Sequence, residues 1–223
     1  FSYSNSKAHY GQYHSIYDSF AWMDKFGGGD SLDAEGSSFE LMAFAAKLWG
    51  LLALRLADSP IVPLDHVSQG RALTRYAEHV KEEIANIDKT TFDFAMEGLF
   101  EAIDSYAKNA AQLQLYCSKE SAELAKSKSP LDSASELKEQ VEICNEKLGL
   151  TERFFLLDDG LPGRPWFRHC LQAPGLDLGY AAESFPGIQQ ALDESRYVLA
   201  QDQIDKATER IAAAAENLVV EPL

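Results

Sequence analysis

Apolar residues recur at spacings of three and four along most of the chain, which is the pattern of helices with one buried face. The clearest stripe runs from Phe92 to Leu124 and covers roughly nine turns at 3.6 residues per turn. Similar stripes extend over residues 73–87, 137–155 and 204–218. The sequence therefore predicts an all-α fold, an up-and-down bundle of about four long helices.

Two further segments near the start of the chain also read as helices. The first, "YDSFAWMDKF", has Asp18 near its beginning and three glycines after its end. The second runs from Ser38 to about Ala57 and contains "LMAFAAKLWGLLAL". That apolar run is 14 residues long and includes Lys47, so it is too short to span a bilayer. We therefore expect a helix packed inside the subunit.

Between residues 157 and 186 the helical pattern gives way to glycine, proline and aromatic residues. Ordered loops of this length inside a compact domain are usually functional, so this loop is a candidate site. A short helix should follow it, with Ser184 as its cap and Pro186 in its first turn. The stretch "KSKSPLDSAS" predicts a turn in which Ser133 or Ser135 caps the next helix.

Composition and charge narrow the range of functions. The chain has 223 residues, is 46% hydrophobic and carries a formal net charge of -15 without a cluster of Lys or Arg. We therefore expect a globular protein that does not bind nucleic acid, because little positive charge is present to release counterions. The three cysteines are widely spaced and predict neither a metal ribbon nor a complete disulfide framework. Cys117 and Cys144 fall on buried stripes and read as small apolar core residues.

The stretch "GQYHSIYD" contains His14, one of five histidines. A neutral imidazole is a common zinc ligand, and ligands are often held on loops between rigid elements. The alternative is a structural histidine in a tyrosine-rich loop. His9 does not decide between them, because a five-residue gap fits neither a helical pair of ligands nor an HExxH motif.

The long loop offers a second set of candidates. Arg164, Arg168 and His169 would suit recognition of a carboxylate, because arginine presents a planar fork to two oxygens. The alternative is that these side chains tie the loop to the bundle. Asp158 and Asp159 adjoin a glycine and are expected to form a solvated turn instead of a catalytic pair.

Three motifs together resemble the C-terminal region of the glutamate carboxypeptidase II and transferrin receptor family. They are "YHSIYDSFAWMDKF", "GLPGRPWFRH" and "YAAESFPGI", and their order and wide separation match the family as well. The segment "WGLLALRLADSPIVPLDHVS" further resembles the plant branch. Members of this family are zinc peptidase-like proteins or their inactive relatives.

The resemblance implies a role for individual residues. His14 would complete a site of two zinc ions, Tyr13 would support the tetrahedral intermediate, and Tyr180 would hold the terminal carboxylate of the substrate. Two such ions can share a hydroxide and polarise the scissile carbonyl, with a phenol donating to the developing oxyanion. Gly179 stands where the glutamate-preferring enzyme has lysine, which puts glutamate specificity in doubt. Arg168 completes the set of substrate-binding candidates.

The resemblance also implies an organisation. Residues 1–30 would be the C-terminal edge of an α/β zinc peptidase domain, and residues 31–223 a helical dimerisation domain. The other metal ligands and the general base would lie upstream, and the chain, which lacks a start Met, reads as a piece of a longer protein. We expect a homodimer acting on peptides, without membrane contact by this region, on the lumenal or extracellular side of a membrane-anchored protein.

Two alternatives remain open from the sequence. The longer protein could be a receptor-like relative that has lost catalysis and uses the helical domain only for dimerisation or partner binding. The chain could also be an unrelated helical bundle whose motif matches arose by chance, although three ordered motifs argue against that.

Overall fold

A computed structural model describes residues 14–26, 39–126, 135–176, 179 and 181–220. The chain divides into two compact units, residues 1–59 and residues 60–223. The predicted boundary between residues 30 and 31 lies outside the described residues, so the division into a peptidase edge and a dimerisation domain stays a prediction.

The described part of the N-terminal unit, residues 14–26 and 39–59, contains two helices. Helix α1 spans Phe20–Phe26 and helix α2 spans Glu40–Ala57. The backbone N–H of Trp22 donates to the Ser19 hydroxyl, so Ser19 caps α1. The ring of Phe39, which immediately precedes α2, stacks on the ring of Phe20 at 5.5 Å between centroids. No residue of either helix is buried.

Within the described residues the apolar segment of α2 is therefore not buried, and its packing inside the subunit stays a prediction. Periodicity and hydrophobicity correctly indicated a helix there, but its apolar side chains remain exposed to solvent. Seven large ones are exposed, namely Leu41, Met42, Phe44, Trp49, Leu51, Leu54 and Leu56. Among the described residues, none of the helices combines the length and the apolar content that crossing a bilayer requires.

The C-terminal unit is a helical bundle, which confirms the predicted all-α fold. Its elements in chain order are α3 (His66–Ala85), α4 (Glu97–Lys126), α5 (Ser135–Leu150), a 3-10 helix (Thr151–Phe155), strands β1 (Gln172–Pro174) and β2 (Ala182–Ser184), α6 (Pro186–Asp193) and α7 (Tyr197–Asn217). Helix α4 packs against α3, α5 and α7, and α6 packs on α7. The core lies where these helices meet.

Helix α4 begins at Glu97, five residues later than the stripe beginning at Phe92 predicts. The preceding segment is not helical because other contacts hold it. The backbone N–H and C=O of Ala95 bond the side chain of Gln201 on α7, and the rings of Phe92 and Phe94 gather around Tyr197. These tertiary contacts outweigh the local helical pattern.

The core is formed by the apolar stripes of α3, α4 and α7, together with side chains from α5 and the long loop. Its fully buried large side chains include Leu73, Leu99, Tyr106, Leu113, Phe155, Phe185, Ile188, Ile204 and Ile211. Phe155 is on the 3-10 helix instead of on α5, yet it occupies the predicted core. Cys117 and Cys144 are buried as predicted.

A buried polar network joins α3, α4 and α5. The Asp65 side chain caps α3 by accepting the Ser68 N–H at 3.0 Å. One residue later, the buried His66 places Nε2 at 2.9 Å from the Leu148 carbonyl oxygen and Nδ1 at 2.8 Å from the Tyr106 hydroxyl. Burial, with the charge of Glu152 nearby, raises the pKa of Tyr106 well above its usual range. The hydroxyl therefore stays protonated and can donate.

Two predicted caps can be compared with the structure. The residue preceding α6 is Phe185, in the left-handed region at φ 47°, and no side chain caps this helix. The Ser184 cap is therefore wrong, because Ser184 pairs with Gln172 in the β1–β2 ladder. Pro186 does lie in the first turn, as predicted. Ser135 is the first residue of α5, whereas Ser133 lies outside the described residues.

Candidate functional site

His14 lies in a turn that leads into α1. The Asp18 N–H donates to the Ser15 carbonyl at 3.1 Å, and the Tyr17 N–H donates to the Ser15 hydroxyl at 3.2 Å. His14 itself is exposed and has φ 62°, in the left-handed region. Non-glycine residues there are uncommon and often lie at functional sites, although histidine tolerates the region better than most. His14 shares this conformation with Phe39, Phe185 and Ser195, so the backbone is compatible with a functional role for His14 but does not establish one.

Two of the other predicted site residues, Tyr13 and Tyr180, lie outside the described residues. Their roles stay predictions that rest on the resemblance. Gly179 and Arg168 are described, and both belong to the C-terminal unit, in the loop between the 3-10 helix and α6.

Arg168 closes the first part of this loop. Its Nε donates to the Leu157 carbonyl at 2.9 Å, and its Nη2 lies 3.4 Å from Oδ1 of Asp158. The backbone repeats the link, since the Leu157 N–H donates to the Arg168 carbonyl at 2.7 Å. Half of the Arg168 side chain is exposed. Arg168 therefore ties the loop together and still has an accessible edge, so a role in substrate binding stays a prediction.

Between these anchors the chain makes two successive turns. The Arg164 N–H donates to the Leu161 carbonyl, and the Phe167 N–H donates to the Arg164 carbonyl, both at 2.9 Å. Gly160 has φ 70°, and a Cβ at this position would overlap the backbone of Pro165. Only glycine fits such a position without strain. The turns place Trp166 at the surface, where it is 90% exposed, so it does not pack against the bundle.

Arg164 links these turns to the β1–β2 hairpin. Its Nη1 donates to the Pro174 carbonyl at 2.6 Å, and its guanidinium lies over the Phe167 ring at 5.6 Å. Its Nε and Nη2 are buried and have no hydrogen-bond acceptor among the described residues. Of the two arginines in the motif, Arg164 is thus the one that supports the strand preceding Gly179.

Gly179 lies between the two strands of the β1–β2 hairpin. The strands pair antiparallel, with Gln172 opposite Ser184 and Pro174 opposite Ala182. Beyond the ladder, the Gly175 N–H donates to the Ala181 carbonyl and the Gly179 N–H donates to the Gly175 carbonyl, both at 3.0 Å. Gly179 has φ 60° and is exposed. The hydrogen bonds of Gly175 therefore continue beyond the ladder and hold Gly179 near the end of β1.

His169 has a structural role. Its Nδ1 accepts the Leu171 N–H at 3.2 Å, so Nε2 carries the proton and donates to Oε1 of Glu152 at 3.0 Å. Gln69 on α3 donates to the other oxygen of Glu152 at 3.1 Å. The hydrogen bond from His169 lowers the pKa of the Glu152 carboxyl, and the one from Gln69 adds to this effect against the opposing effect of burial. These contacts support the alternative that the loop is tied to the bundle.

The described residues do not bring together three or more His, Cys, Asp or Glu side chains that could hold a metal ion. His14 is the predicted ligand among them, and an exposed imidazole on a turn has the right chemistry for zinc. A zinc site needs three or four protein ligands, so the predicted site would require others from outside the described residues.

The C-terminal unit is a helical bundle with an ordered loop and a hairpin before α6. Comparison with known proteins identifies it as a dimerisation domain. Residues 94–219, more than half of the chain, match the family described as the transferrin receptor-like dimerisation domain. The chain belongs to this family and is the C-terminal region of a protein in the transferrin receptor and glutamate carboxypeptidase group.

Three relatives illustrate the range of the group. A probable glutamate carboxypeptidase of Arabidopsis thaliana is 31% identical over 189 residues, which are 84% of this chain and 23% of that protein. A probable glutamate carboxypeptidase of Arthroderma benhamiae is 30% identical over 203 residues, 91% of this chain and 25% of that protein. An inactive zinc metalloprotease of Schizosaccharomyces pombe is 27% identical over 207 residues, 91% of this chain and 23% of that protein.

The chain therefore spans about a quarter of the length of the relatives that it matches. The family match itself, residues 94–219, lies within the C-terminal unit. The sequence suggested Arg168 and not Arg164 as a substrate-binding residue, although both arginines fit a carboxylate and both fit a backbone carbonyl. The two arginines differ in the backbone carbonyl that each guanidinium contacts, Pro174 for Arg164 and Leu157 for Arg168, and these contacts depend on the folded loop.

Proposed function

We propose that this chain is the C-terminal dimerisation and substrate-pocket part of a di-zinc metallopeptidase that removes C-terminal residues from peptides. The family match supports the dimerisation role. The names of two relatives, both probable glutamate carboxypeptidases, support the peptidase role. The inactive zinc metalloprotease named among the relatives supports the choice of metal, although not the activity.

In this proposal His14 is the zinc ligand that the chain supplies. Its position on an exposed turn lets the imidazole reach a metal held by residues elsewhere in the longer protein. When bound, two zinc ions would supply Lewis acidity toward the scissile carbonyl. The site is completed by ligands upstream, and we place the N-terminal unit, residues 1–30 above all, at the edge of that peptidase domain.

The remaining residues act on the substrate. Tyr13, next to the ligand, donates its phenolic proton to the oxyanion that develops on the scissile carbonyl. Tyr180 donates to the terminal carboxylate of the peptide, and Arg168 contributes positive charge on the same loop. Gly179 leaves the place beside Tyr180 without a cation, so the enzyme should not require glutamate at the C-terminus.

The helical domain, residues 31–223 in the prediction, joins two copies of the protein. Closed two-fold interfaces are self-complementary, so one surface of the bundle would meet the same surface on its copy. We further propose, from the resemblance alone, that this region lies on the lumenal or extracellular side of a membrane-anchored protein.

The observation that carries the proposal is the exposed His14, held in left-handed backbone next to Tyr13 within the family motif. The test is His14→Ala in the full-length protein, with zinc content measured by mass spectrometry and peptide cleavage measured on a panel of C-terminal dipeptides. We expect zinc per subunit to fall and cleavage to fall by about 100-fold or more, because a ligand of the reacting metal is lost.

His79→Ala is the matched control, since it removes another partly exposed imidazole, one that pairs with Glu83 on α3. It should retain zinc and activity. Both variants should run as dimers in light scattering, because neither change alters the core of the bundle. An unchanged zinc content and unchanged peptide turnover in the His14 variant would refute the proposal that the protein is a zinc peptidase with His14 as a ligand.

A second candidate is a non-catalytic dimerisation module. The inactive zinc metalloprotease among the relatives and the absence of a cation at Gly179 favour it. In that case the full-length protein would dimerise through the bundle but cleave none of the dipeptides, with or without added zinc. Turnover of a single peptide that is lost in the His14 variant would exclude this candidate.

A further inference from the structure

His66, the first residue of α3, is a buried imidazole with hydrogen-bond contacts at both ring nitrogens. Its Nε2 lies 2.9 Å from the carbonyl oxygen of Leu148, in the last turn of α5. Its Nδ1 lies 2.8 Å from Oε1 of Gln69 and 2.8 Å from the hydroxyl oxygen of Tyr106. These contacts restrict where the protons of the ring can be.

The contact at Nε2 requires the imidazole to donate. A carbonyl oxygen can only accept a hydrogen bond, so Nε2 of His66 carries a proton. The carbonyls in the last turn of a helix also form the negative end of the helix dipole, which favours a cation beside them. The end of α5 therefore suits a charged imidazole.

The contact at Nδ1 requires a donor as well. The Nε2 of Gln69 donates to Oε2 of Glu152 at 3.1 Å, and a carboxylate can only accept, so the amide oxygen of Gln69 faces His66. Without a proton on Nδ1, two acceptors would meet at 2.8 Å. The Tyr106 hydroxyl fits this assignment, because it donates to the same Gln69 oxygen at 3.1 Å and can accept from Nδ1.

We propose that His66 is a buried imidazolium, with a proton on each ring nitrogen, and that its charge holds α3 against the end of α5 and against Glu152. The amide of Gln69 connects the two opposite charges. When the pH rises and His66 loses its second proton, Nδ1 becomes an acceptor facing the Gln69 oxygen, and the contact is lost. The network is therefore a pH-sensitive junction, and it extends to the loop because Glu152 also accepts from His169.

Two carboxylates close to His66 favour its charged form. Asp65 is the preceding residue, and hydrogen bonds from Ser68 lower the pKa of its carboxyl. The pKa of Glu152, on the 3-10 helix, is lowered above all by the hydrogen bond from His169 and to a smaller extent by the charge of His66. Both carboxyl groups are therefore ionised at neutral pH, and nearby negative charge stabilises an imidazolium.

Other titratable groups on the neighbouring elements do not oppose this charge. Tyr106, on α4, is neutral because burial raises its pKa. Lys147, on α5, directs its Nζ to the carbonyl of Asn217 at 2.9 Å. In the loop, His169 is a neutral ring that donates to Oε1 of Glu152. The proposal does not depend on zinc, on catalysis or on dimerisation.

The test is NMR of the wild-type 223-residue chain labelled with nitrogen-15 histidine, recorded from about pH 6 to about pH 9. A neutral imidazole has one protonated and one unprotonated ring nitrogen, whereas an imidazolium has two protonated ones. We expect two protonated nitrogens for His66 at neutral pH. Its signals are assigned as those that persist when the other histidines are replaced one at a time.

Variants of the network test whether its charge and its oxygen act on His66. Glu152→Gln removes the opposite charge, so His66 should lose its second proton about one pH unit lower than in the wild type. Gln69→Met removes the oxygen that faces Nδ1 and should change the titration in the same direction. Glu142→Gln, which changes an exposed carboxylate on α5, is the matched control and should leave the titration of His66 unchanged.

An unprotonated ring nitrogen on His66 at neutral pH would overturn the proposal. The same titration midpoint for His66 in the wild type and in Glu152→Gln would also overturn it. Because the first measurement is made on the wild-type chain, it remains decisive even if a variant folds poorly.

Discussion

Helices α2 and α4 are both long and both carry many apolar residues, but they use them differently. In α4 the apolar residues form one stripe, and eight residues of the helix are buried against α3, α5 and α7. In α2 apolar residues surround most of the helix, and none is buried. A helix that is apolar all round requires cover on several sides. The described residues of this chain do not provide that cover for α2.

The difference between α2 and α4 shows that hydrophobicity indicates how much of a helix should be buried. It does not indicate which polypeptide buries the helix. The C-terminal unit, residues 60–223, has its own core and matches a dimerisation family. The N-terminal unit has the predicted zinc ligand and an uncovered apolar helix. Both features fit the proposal that the N-terminal unit completes a domain of a longer protein.

The largest expected effect is a difference in unfolding free energy between two leucine truncations, one in each unit. Leu113→Ala removes a side chain that is 0% exposed and should lower the free energy of unfolding by about 2 to 5 kcal/mol, because a cavity remains in the bundle. Leu54→Ala removes a leucine side chain that is 69% exposed and should change the free energy of unfolding by less than about 0.5 kcal/mol. Urea unfolding of the 223-residue chain measures both. Equal losses of unfolding free energy in the two variants would contradict the difference in burial between the two units.

The same pair sharpens the comparison when it is repeated in the full-length protein. If the rest of the polypeptide covers α2, Leu54→Ala should become as costly as a core substitution, while the cost of Leu113→Ala should not change. A cost for Leu54→Ala that stays near zero would show that α2 remains uncovered.

A smaller effect should appear in the loop of the C-terminal unit. Gly160 and Gly163 both have positive φ, near 70°, but a Cβ would meet the Pro165 backbone only at Gly160. Gly163→Ala should cost about 1 kcal/mol for the backbone conformation alone. Gly160→Ala should cost about 1 to 3 kcal/mol more, because the alanine also displaces neighbouring backbone. Thermal unfolding of the two variants compares them directly, and similar Tm values would show that the turn is not tightly packed.

The smallest effect concerns the contact between Glu152 and His169. Because the folded state lowers the pKa of Glu152, its contribution to stability is present above the ordinary carboxyl pKa, about 4.3, and is lost as the pH falls through the lower folded value. The stability difference between the wild type and Glu152→Gln should therefore shrink between about pH 5 and about pH 3.

Denaturant unfolding at several pH values measures this difference. Glu142→Gln, which changes an exposed carboxylate on α5, is the control and should follow the wild-type profile. A gap between the wild type and Glu152→Gln that stays constant over this range would contradict the assignment.

Much of the fold could be read from the sequence, because helices leave a local signal. The stripes that end at Leu124 and Leu218 and the buried positions of Cys117 and Cys144 were all predictable from spacing. The start of α4 was not, because Gln201, more than 100 positions away, bonds the backbone of Ala95. The short strands β1 and β2 were also missed, because three residues are too few to show alternation.

The candidate site was predictable only in part. The motifs pointed to His14 and to the loop that carries Arg164 and Arg168, but both arginines suited the same chemistry. Their separate partners, the carbonyls of Pro174 and Leu157, depend on how the loop folds back on itself.

The sequence by itself determined where the helices lie and which motifs mark a peptidase relative, because both depend on residues close together in the chain. Only the tertiary structure decided that α2 has no buried residue and that Arg164 supports the hairpin. These features depend on contacts between distant segments, whose geometry is set by how the helices pack and not by any local pattern.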